Sequence, residues 1–192
     1  MLTIPRAPAR LALDIRRYWN GAPCPDARLH GRVELTADAE GLSLTASLPH
    51  QPAPRIPRAP RGTRVADLWK HDVVECFLVG AGGRYLEVEL GAGGHFLVLS
   101  FTAPRELADA HEALVLPIDF ASDSRGWRSR ARLGWELVPS RLAALNAFVI
   151  ASGSHLACTP VPGPEPDFHQ PARFPRGALE VESRPSRTRP GR

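Results

Sequence analysis

Three glutamates and one tryptophan are the residues of this sequence whose types and spacing best suit chemistry. Glu75, Glu87 and Glu89 stand inside apolar runs, where an ordinary core strand would carry Val or Thr. Trp69 lies just ahead of them, in a stretch that ends at Asp72. A tryptophan ring stacks on the apolar face of a sugar and a carboxylate accepts hydroxyl protons, so the set predicts a site for a small polar ligand. The structural alternative is that Trp69 fills the end of the core and Glu75 pairs with an arginine.

The acids belong to a predicted meander of three consecutive strands. Val, Leu, Phe and Tyr recur at period two in runs separated by Gly-rich turns, which is typical of antiparallel strands. The runs cover residues 73–79, 85–90 and 96–101. The turn between the first two runs decides where Glu75 points. An odd number of turn residues puts Glu75 on the same face as Tyr85, Glu87 and Glu89, and an even number puts it on the opposite face.

The remaining chain predicts more strands and very little helix. Alternating apolar residues indicate strands at 11–15, 32–37, 42–48, 113–120, 127–137, 146–152 and 179–181. Residues 105–111 and 139–145 are each long enough for a helical turn. The five prolines of residues 49–62 cannot donate to a sheet ladder and predict a long surface loop. Many short strands with one or two short helices predict an all-β fold, an antiparallel and jelly-roll-like β-sandwich.

The charge pattern argues against a nucleic-acid partner. The net charge is +4, but four arginines fall within residues 184–192. We therefore predict one domain over residues 1–182 and a disordered basic tail at 183–192, which has no apolar residue to anchor it.

On the predicted strand 127–137, the alternating Arg128, Arg130 and Arg132 indicate a solvated outer face, with anion binding as the alternative. Basic patches interleaved with aromatic residues, which single-strand binding uses, are absent.

Other features bear on compartment and cofactors. No apolar run approaches the roughly 18 residues of a membrane span and no signal-peptide pattern is present, so we expect a cytoplasmic protein without a membrane partner. Three widely spaced cysteines indicate neither a disulfide framework nor a zinc site. Three neighbouring carboxylates need counter-charge, from Lys70, Arg84 or a bound calcium. No Asp-rich loop accompanies them, so no cofactor is predicted, and calcium stays open as the alternative.

Several segments together resemble a known family. They are LWKHDVVECFL, YLEVE with its Gly-rich turn, GWELVPSRL and PDFHQPARF. Over roughly residues 33–174 the chain resembles the family 9 carbohydrate-binding modules and the wider DOMON-like superfamily. The most specific part is a W-x-x-D-x-V-E core followed by a Y-x-E-x-E strand. The resemblance implies a β-sandwich that binds a ligand on a face or rim of its sheet without chemistry of its own.

The resemblance also implies roles for individual residues. Trp69 matches an aromatic of the sugar clamp, Glu75 a hydrogen-bonding acid, and Glu87 and Glu89 occupy ligand-facing strand positions. The second clamp tryptophan, expected after the strand at 146–152, has no counterpart. Haem-binding relatives use Met and His ligands, and since Met1 is the only methionine we predict no haem. The candidate ligand-binding residues are Trp69, Asp72, Glu75, Tyr85, Glu87 and Glu89.

Two other functions stay open at this point. Paired carboxylates suggest a glycoside hydrolase using Glu75 with Glu87 or Glu89, although no recognisable acid motif accompanies them. A structural or partner-binding protein without a small ligand is the other alternative. The prediction is a non-catalytic module whose partner is a small molecule, most plausibly a carbohydrate.

Overall fold

The computed structural model describes residues 1–180, so the predicted tail at 183–192 lies outside the described residues. Strands make up 49% of the structure. They are β1 (Leu2–Ile4), β2 (Leu11–Ile15), β3 (Arg17–Tyr18), β4 (Gly31–Ala37), β5 (Gly41–Pro49), β6 (Val73–Gly80), β7 (Tyr85–Gly91), β8 (Phe96–Ala103), β9 (Glu106–Asp109), β10 (Ile118–Asp123), β11 (Gly126–Gly134), β12 (Leu142–Ala151), β13 (Ser154–Ala157) and β14 (Gly177–Leu179).

The strands form two large antiparallel sheets that pack face to face. One sheet has five strands in the order β10-β11-β5-β4-β2, and the other has seven in the order β3-β13-β12-β6-β7-β8-β9. β1 and β14 add a small parallel pair. The predicted all-β sandwich is therefore confirmed, and the three strands of the meander, β6, β7 and β8, are adjacent and antiparallel as expected.

The helical content differs from the prediction. Among residues 1–180 there are three single-turn 3₁₀ helices, Ala27–Leu29, Leu68–Lys70 and Pro171–Arg173, and no α-helix. The two predicted helical turns are wrong. Residues 106–109 instead pair with the edge of β8, and residue 142 already begins β12, which pairs with β6 through a bulge. Pairing along an existing sheet edge satisfies backbone groups that a short isolated helix would leave open.

Both faces of the seven-stranded sheet are covered. Its inner face, with Val74, Cys76 and Leu78 of β6, packs against the five-stranded sheet to form the main core. Its outer face carries a second apolar cluster that includes Phe77 and Phe148. Loop residues from the C-terminal third, among them Phe168 and Phe174, cover this second cluster. As a result every residue of β6 and β7 is buried, which is unusual for an antiparallel sheet in a two-layer fold. Among the described residues, no helix has the length and apolar character that a membrane crossing requires.

Candidate functional site

The register of β6 and β7 places all three glutamates on the outer face of the seven-stranded sheet. Val79 pairs with Tyr85, so five residues, an odd number, lie between the paired positions. Glu75 lies directly opposite Glu89, and Glu87 is opposite Phe77. Because side chains alternate between the faces of a strand, the three acids lie side by side. Of the two arrangements that the turn allowed, the structure has the one that groups them.

The three carboxyl groups are buried in apolar surroundings. Glu75, Glu87 and Glu89 are 2%, 4% and 0% exposed, and one oxygen of each lies within 4.8 Å of those of the other two. Burial raises the pKa of Glu87 to about 8, against the opposing effects of a hydrogen bond with Glu89 and of the charge of Arg105. Burial and then the charge of Glu87 raise the pKa of Glu75 well above its usual range. The pKa of Glu89 is raised in the same way, by burial and then by the charges of Glu75 and Glu87.

A cleft of about 390 Å³ opens over this group of acids. Its lining residues are Trp69, Glu75, Glu87, Leu99, Phe101, Arg105, Leu107, Ile150, His155, Pro166, Phe168 and His169. Trp69 is 39% exposed, and it is held in place because the preceding Leu68 is fully buried. Glu75 and Glu87 reach the cleft, whereas Glu89 is not among the lining residues. A ligand in the cleft would therefore meet one exposed aromatic ring and two carboxyl groups.

Tyr85 supports the site from below instead of lining it. Its side chain is buried, and its Oη lies 2.7 Å from Nδ1 of His169 while accepting the backbone N–H of Arg105 at 3.1 Å. The other ring nitrogen of His169, Nε2, lies 3.9 Å from Oε2 of Glu87. Burial lowers the pKa of His169 to about 4, so its ring is neutral at neutral pH. Tyr85 thus positions the imidazole that faces the acids.

Asp72 lies outside the cleft. It is fully buried, and its Oδ1 accepts the backbone N–H of Ser152 at 3.2 Å and pairs with Nε of Arg55 at 3.4 Å. Arg55 belongs to the Pro-rich loop predicted at residues 49–62. Asp72 therefore links this loop to the end of β12, and its contact with a ligand stays a prediction.

Nine of the lining residues were not predicted from the sequence, and four of them, Arg105, His155, Phe168 and His169, add polar groups or an aromatic wall. Arg105 follows β8, His155 lies on β13, and Phe168 and His169 come from the loop after β13. Phe168 stacks on Phe148 with ring centroids 4.1 Å apart, which fixes one wall of the cleft. Burial, and then the charge of Arg55, lower the pKa of His155. The one signal in the sequence was the PDFHQPARF segment, whose resemblance pointed to the loop but not to its individual residues.

The whole fold is similar to solved structures of carbohydrate-binding proteins. A candidate carbohydrate-binding protein from Bacteroides uniformis has a TM-score of 0.70 at 14% sequence identity, with 93% of this chain and 98% of that chain covered. A family 9 carbohydrate-binding module from Caldicellulosiruptor kristjanssonii in complex with cellotriose has a TM-score of 0.62 at 14% identity, with 99% and 97% covered. A family 9 module from the same organism in complex with glucose has a TM-score of 0.55 at 15% identity, with 95% and 96% covered. At these identities the likeness shows the fold alone.

Sequence comparison leads to a different set of relatives. No family model matches the sequence. The UPF0462 protein C4orf33 homolog of Rattus norvegicus is 33% identical over 153 residues, which cover 72% of this chain and 74% of the rat protein. The UPF0462 protein C4orf33 of Homo sapiens is 31% identical over 169 residues, 81% of each chain. Identity at this level over most of both lengths shows that the chain belongs to the UPF0462 family.

Proposed function

We propose that the protein binds a carbohydrate, or a similar small polar ligand, in the cleft on the outer face of the seven-stranded sheet. The observation that carries the proposal is the position of Trp69, 39% exposed in the lining of a cleft that also presents Glu75 and Glu87. Large aromatic side chains are usually buried. An exposed aromatic ring beside buried polar groups is typical of a surface on which a sugar stacks. The fold neighbours in complex with cellotriose and glucose support the same ligand class.

The cleft offers both kinds of contact that a sugar needs. The indole of Trp69 can stack on the C–H face of a pyranose, and the apolar side chains of Leu99 and Phe168 surround the space beside it. Glu75 and Glu87, with raised pKa values, hold their protons at neutral pH and can donate as well as accept hydrogen bonds to hydroxyl groups. Arg105 adds a fixed donor, because its Nη2 is held 2.9 Å from Asp167.

Binding is expected to be weak. The two phenyl rings in the lining, Phe101 and Phe168, are only 5% and 7% exposed, so one side of a sugar has no exposed aromatic partner. Stacking contributes on the order of 1 kcal/mol beyond area burial, and a charge-assisted hydrogen bond about 1.5–3 kcal/mol. After the cost of association is subtracted, the dissociation constant should be nearer millimolar than micromolar.

The placement of the acids favours binding over hydrolysis. A glycosidase holds two carboxyl groups on opposite sides of the scissile bond, about 5 to 9.5 Å apart. Here Glu75 and Glu87 come from adjacent strands of one sheet face, with carboxyl oxygens within 4.8 Å of each other. Both carboxyl groups therefore approach a bound sugar from the same sheet face and not from two sides of a scissile bond. We therefore propose a module without catalytic activity.

The test is a titration of glucose, cellobiose and cellotriose followed by NMR chemical shifts of the tryptophan indole N–H groups. Saturable shifts are expected for the wild type. They should vanish in Trp69→Ala, and Glu75→Gln should weaken binding by roughly two- to tenfold, the cost of one hydrogen bond between neutral groups. Trp135→Ala is the matched control. Trp135 packs against the main core, and its indole N–H donates a hydrogen bond to the carbonyl of Ala39.

Two results would refute the proposal. One is the lack of any saturable shift with every sugar in a folded wild-type protein. The other is a Trp69→Ala protein that unfolds, which would make Trp69 a core residue and favour a structural or partner-binding role. Circular dichroism melts of all variants separate this second result from a loss of binding.

A further inference from the structure

The outer face of the seven-stranded sheet holds one side chain that sugar binding does not explain. Glu89 is 0% exposed and does not line the cleft, yet its carboxyl group points toward those of Glu75 and Glu87, within 4.8 Å of both. Among the described residues no group outside the three glutamates donates a hydrogen bond to either of its oxygens or to Oε2 of Glu87, and the one such interaction is between the carboxyl groups of Glu87 and Glu89 themselves. Leaving a buried carboxyl group unpaired is costly, and native proteins seldom do so without a reason.

The neighbouring cationic side chains are already engaged. Lys70 lies 2.6 Å from Asp67, Arg105 lies 2.9 Å from Asp167, and Arg55 pairs with Asp72. Lys70 and Arg84, which the sequence suggested as counter-charges, form no ion pair with the three glutamates in the described part of the chain. Compensation from outside the chain, by a bound cation, would satisfy the free oxygens.

The side chain of His169 adds a possible fourth ligand beside Glu87, outside the group of three carboxyl oxygens that lie within 4.8 Å of one another. Its Nε2 lies 3.9 Å from Oε2 of Glu87, and Tyr85 Oη holds Nδ1 at 2.7 Å. The tautomer with its proton on Nδ1 donates that proton to Tyr85 and leaves the Nε2 lone pair facing the carboxyl oxygens. Histidine ligands of metals are usually held in this way, by a hydrogen bond from the ring nitrogen that does not bind the ion.

We propose that Glu75, Glu87, Glu89 and His169 bind one divalent transition-metal ion of the Mn²⁺ or Zn²⁺ class. Two ligand atoms at about 2.2 Å from one ion are at most about 4.4 Å apart, so oxygens within 4.8 Å must move by only a few tenths of an ångström. Carboxylates suit Mn²⁺ and imidazole suits Zn²⁺ and Fe²⁺, so the mixed set favours such an ion over Ca²⁺ or Mg²⁺, which prefer oxygen alone. Glu75 and Glu87 line the cleft, which gives the ion a path of entry and leaves coordination positions toward the solvent.

The experiment uses the full chain without an affinity tag, stripped with a chelator and titrated with Mn²⁺ in the absence of sugar. Loss of the free-ion EPR signal gives affinity and stoichiometry, and one ion per chain is expected. Glu89→Gln, nearly isosteric, should weaken binding by at least the about 10–100-fold that loss of a supporting group costs. Bound Mn²⁺ should also broaden the NMR signals of the His169 and Phe168 rings, which locates the ion.

The matched control is Glu34→Gln, which removes a strand carboxylate that pairs with Arg10 on the five-stranded sheet. It should bind Mn²⁺ as the wild type does. If Glu89→Gln fails to fold, Glu75→Gln at the cleft floor decides the question in its place. Absence of saturable binding, or equal binding by the glutamine variants of Glu89 and Glu34, would overturn the proposal. Trp69→Ala should keep its metal site, so failure of sugar binding and failure of metal binding remain distinguishable.

Discussion

The outer faces of the two sheets both carry charged residues on strands, but the environments of these residues differ. On the five-stranded sheet, Arg32 pairs with Asp14 at 2.7 Å, and Arg132 pairs with Asp38 at 2.8 Å and Glu40 at 2.9 Å. These groups stand in solvent. On β6 and β7 of the seven-stranded sheet the charged residues Glu75, Glu87 and Glu89 are all buried acids, and among the described residues no Arg or Lys side chain forms an ion pair with them.

The difference shows what a loop cover does to a strand pattern. The arginine row of β11 and the glutamates of β6 and β7 both alternate with apolar residues. Water covers the first face, so its ion pairs contribute little to stability. Aromatic residues such as Phe168 and Phe174 cover much of the second face, so its acids shift their pKa values. Clusters of buried carboxyl groups without ion-pair partners are more often retained for function than for stability.

The largest effect should come from opening the covered face. Phe168→Ala removes a 7% exposed ring that stacks on Phe148, and it should lower the free energy of unfolding by about 3–5 kcal/mol in urea denaturation. Val115→Ala is the control, since Val115 is 86% exposed and its change should stay within about 0.5 kcal/mol. A loss of less than about 1 kcal/mol for Phe168→Ala would mean that the loop hardly covers the acids.

A smaller effect should appear in the pH dependence of stability without metal. Glu87 has a pKa of about 8 in the folded protein against an ordinary 4.5, so the folded state keeps a proton that the unfolded chain releases. Stability is therefore fully present below pH 4.5 and is lost as pH rises through 8. The pKa of His169 is lowered from 6.5 to about 4, so this group opposes the trend only below pH 6.5.

The measurement is urea denaturation between pH 6.5 and 8 in the presence of a chelator. Glu87 alone should cost the wild type roughly 1 to 2 kcal/mol over this range, the raised pKa values of Glu75 and Glu89 add losses of the same sign, and Glu87→Gln should make the dependence less steep. Glu34→Gln, on the solvated face, should behave as the wild type. Stability that rises with pH in the wild type would show that the acids are ionised and compensated, and the contrast between the two faces would fail.

The smallest effect belongs to the solvated face. Arg132→Met removes two ion pairs but leaves the strand and its apolar stem, so the free energy of unfolding should fall by less than about 1 kcal/mol. The difference should shrink further at high salt, because exposed charges are screened. Urea denaturation at low and at high sodium chloride concentration measures this difference in the free energy of unfolding. A larger, salt-insensitive loss would indicate that this face is not a plain solvated surface.

Local patterns of the sequence determined much of the fold. Alternation placed the strands of the meander and of the hairpin formed by β4 and β5, because one buried face per strand forces period two. It also identified Glu75, Glu87 and Glu89 as unusual, since acids in such runs conflict with a core. The turn between β6 and β7 left two arrangements open. The number of residues in the turn is odd, which only the pairing of Val79 with Tyr85 in the structure established.

Tertiary structure alone decided the composition and the chemistry of the site. Arg105, His155 and His169 come from segments far apart in the chain, and no local pattern brings them to one cleft. The contacts of Asp72 were hidden for the same reason, because the backbone of Ser152 and the side chain of Arg55 meet it only in the folded protein. The sequence by itself determined which residues alternate and where acids interrupt them. Long-range packing, which no short stretch of sequence encodes, decides which sheet face is covered. It therefore also decides which acids are removed from water and from cationic side chains.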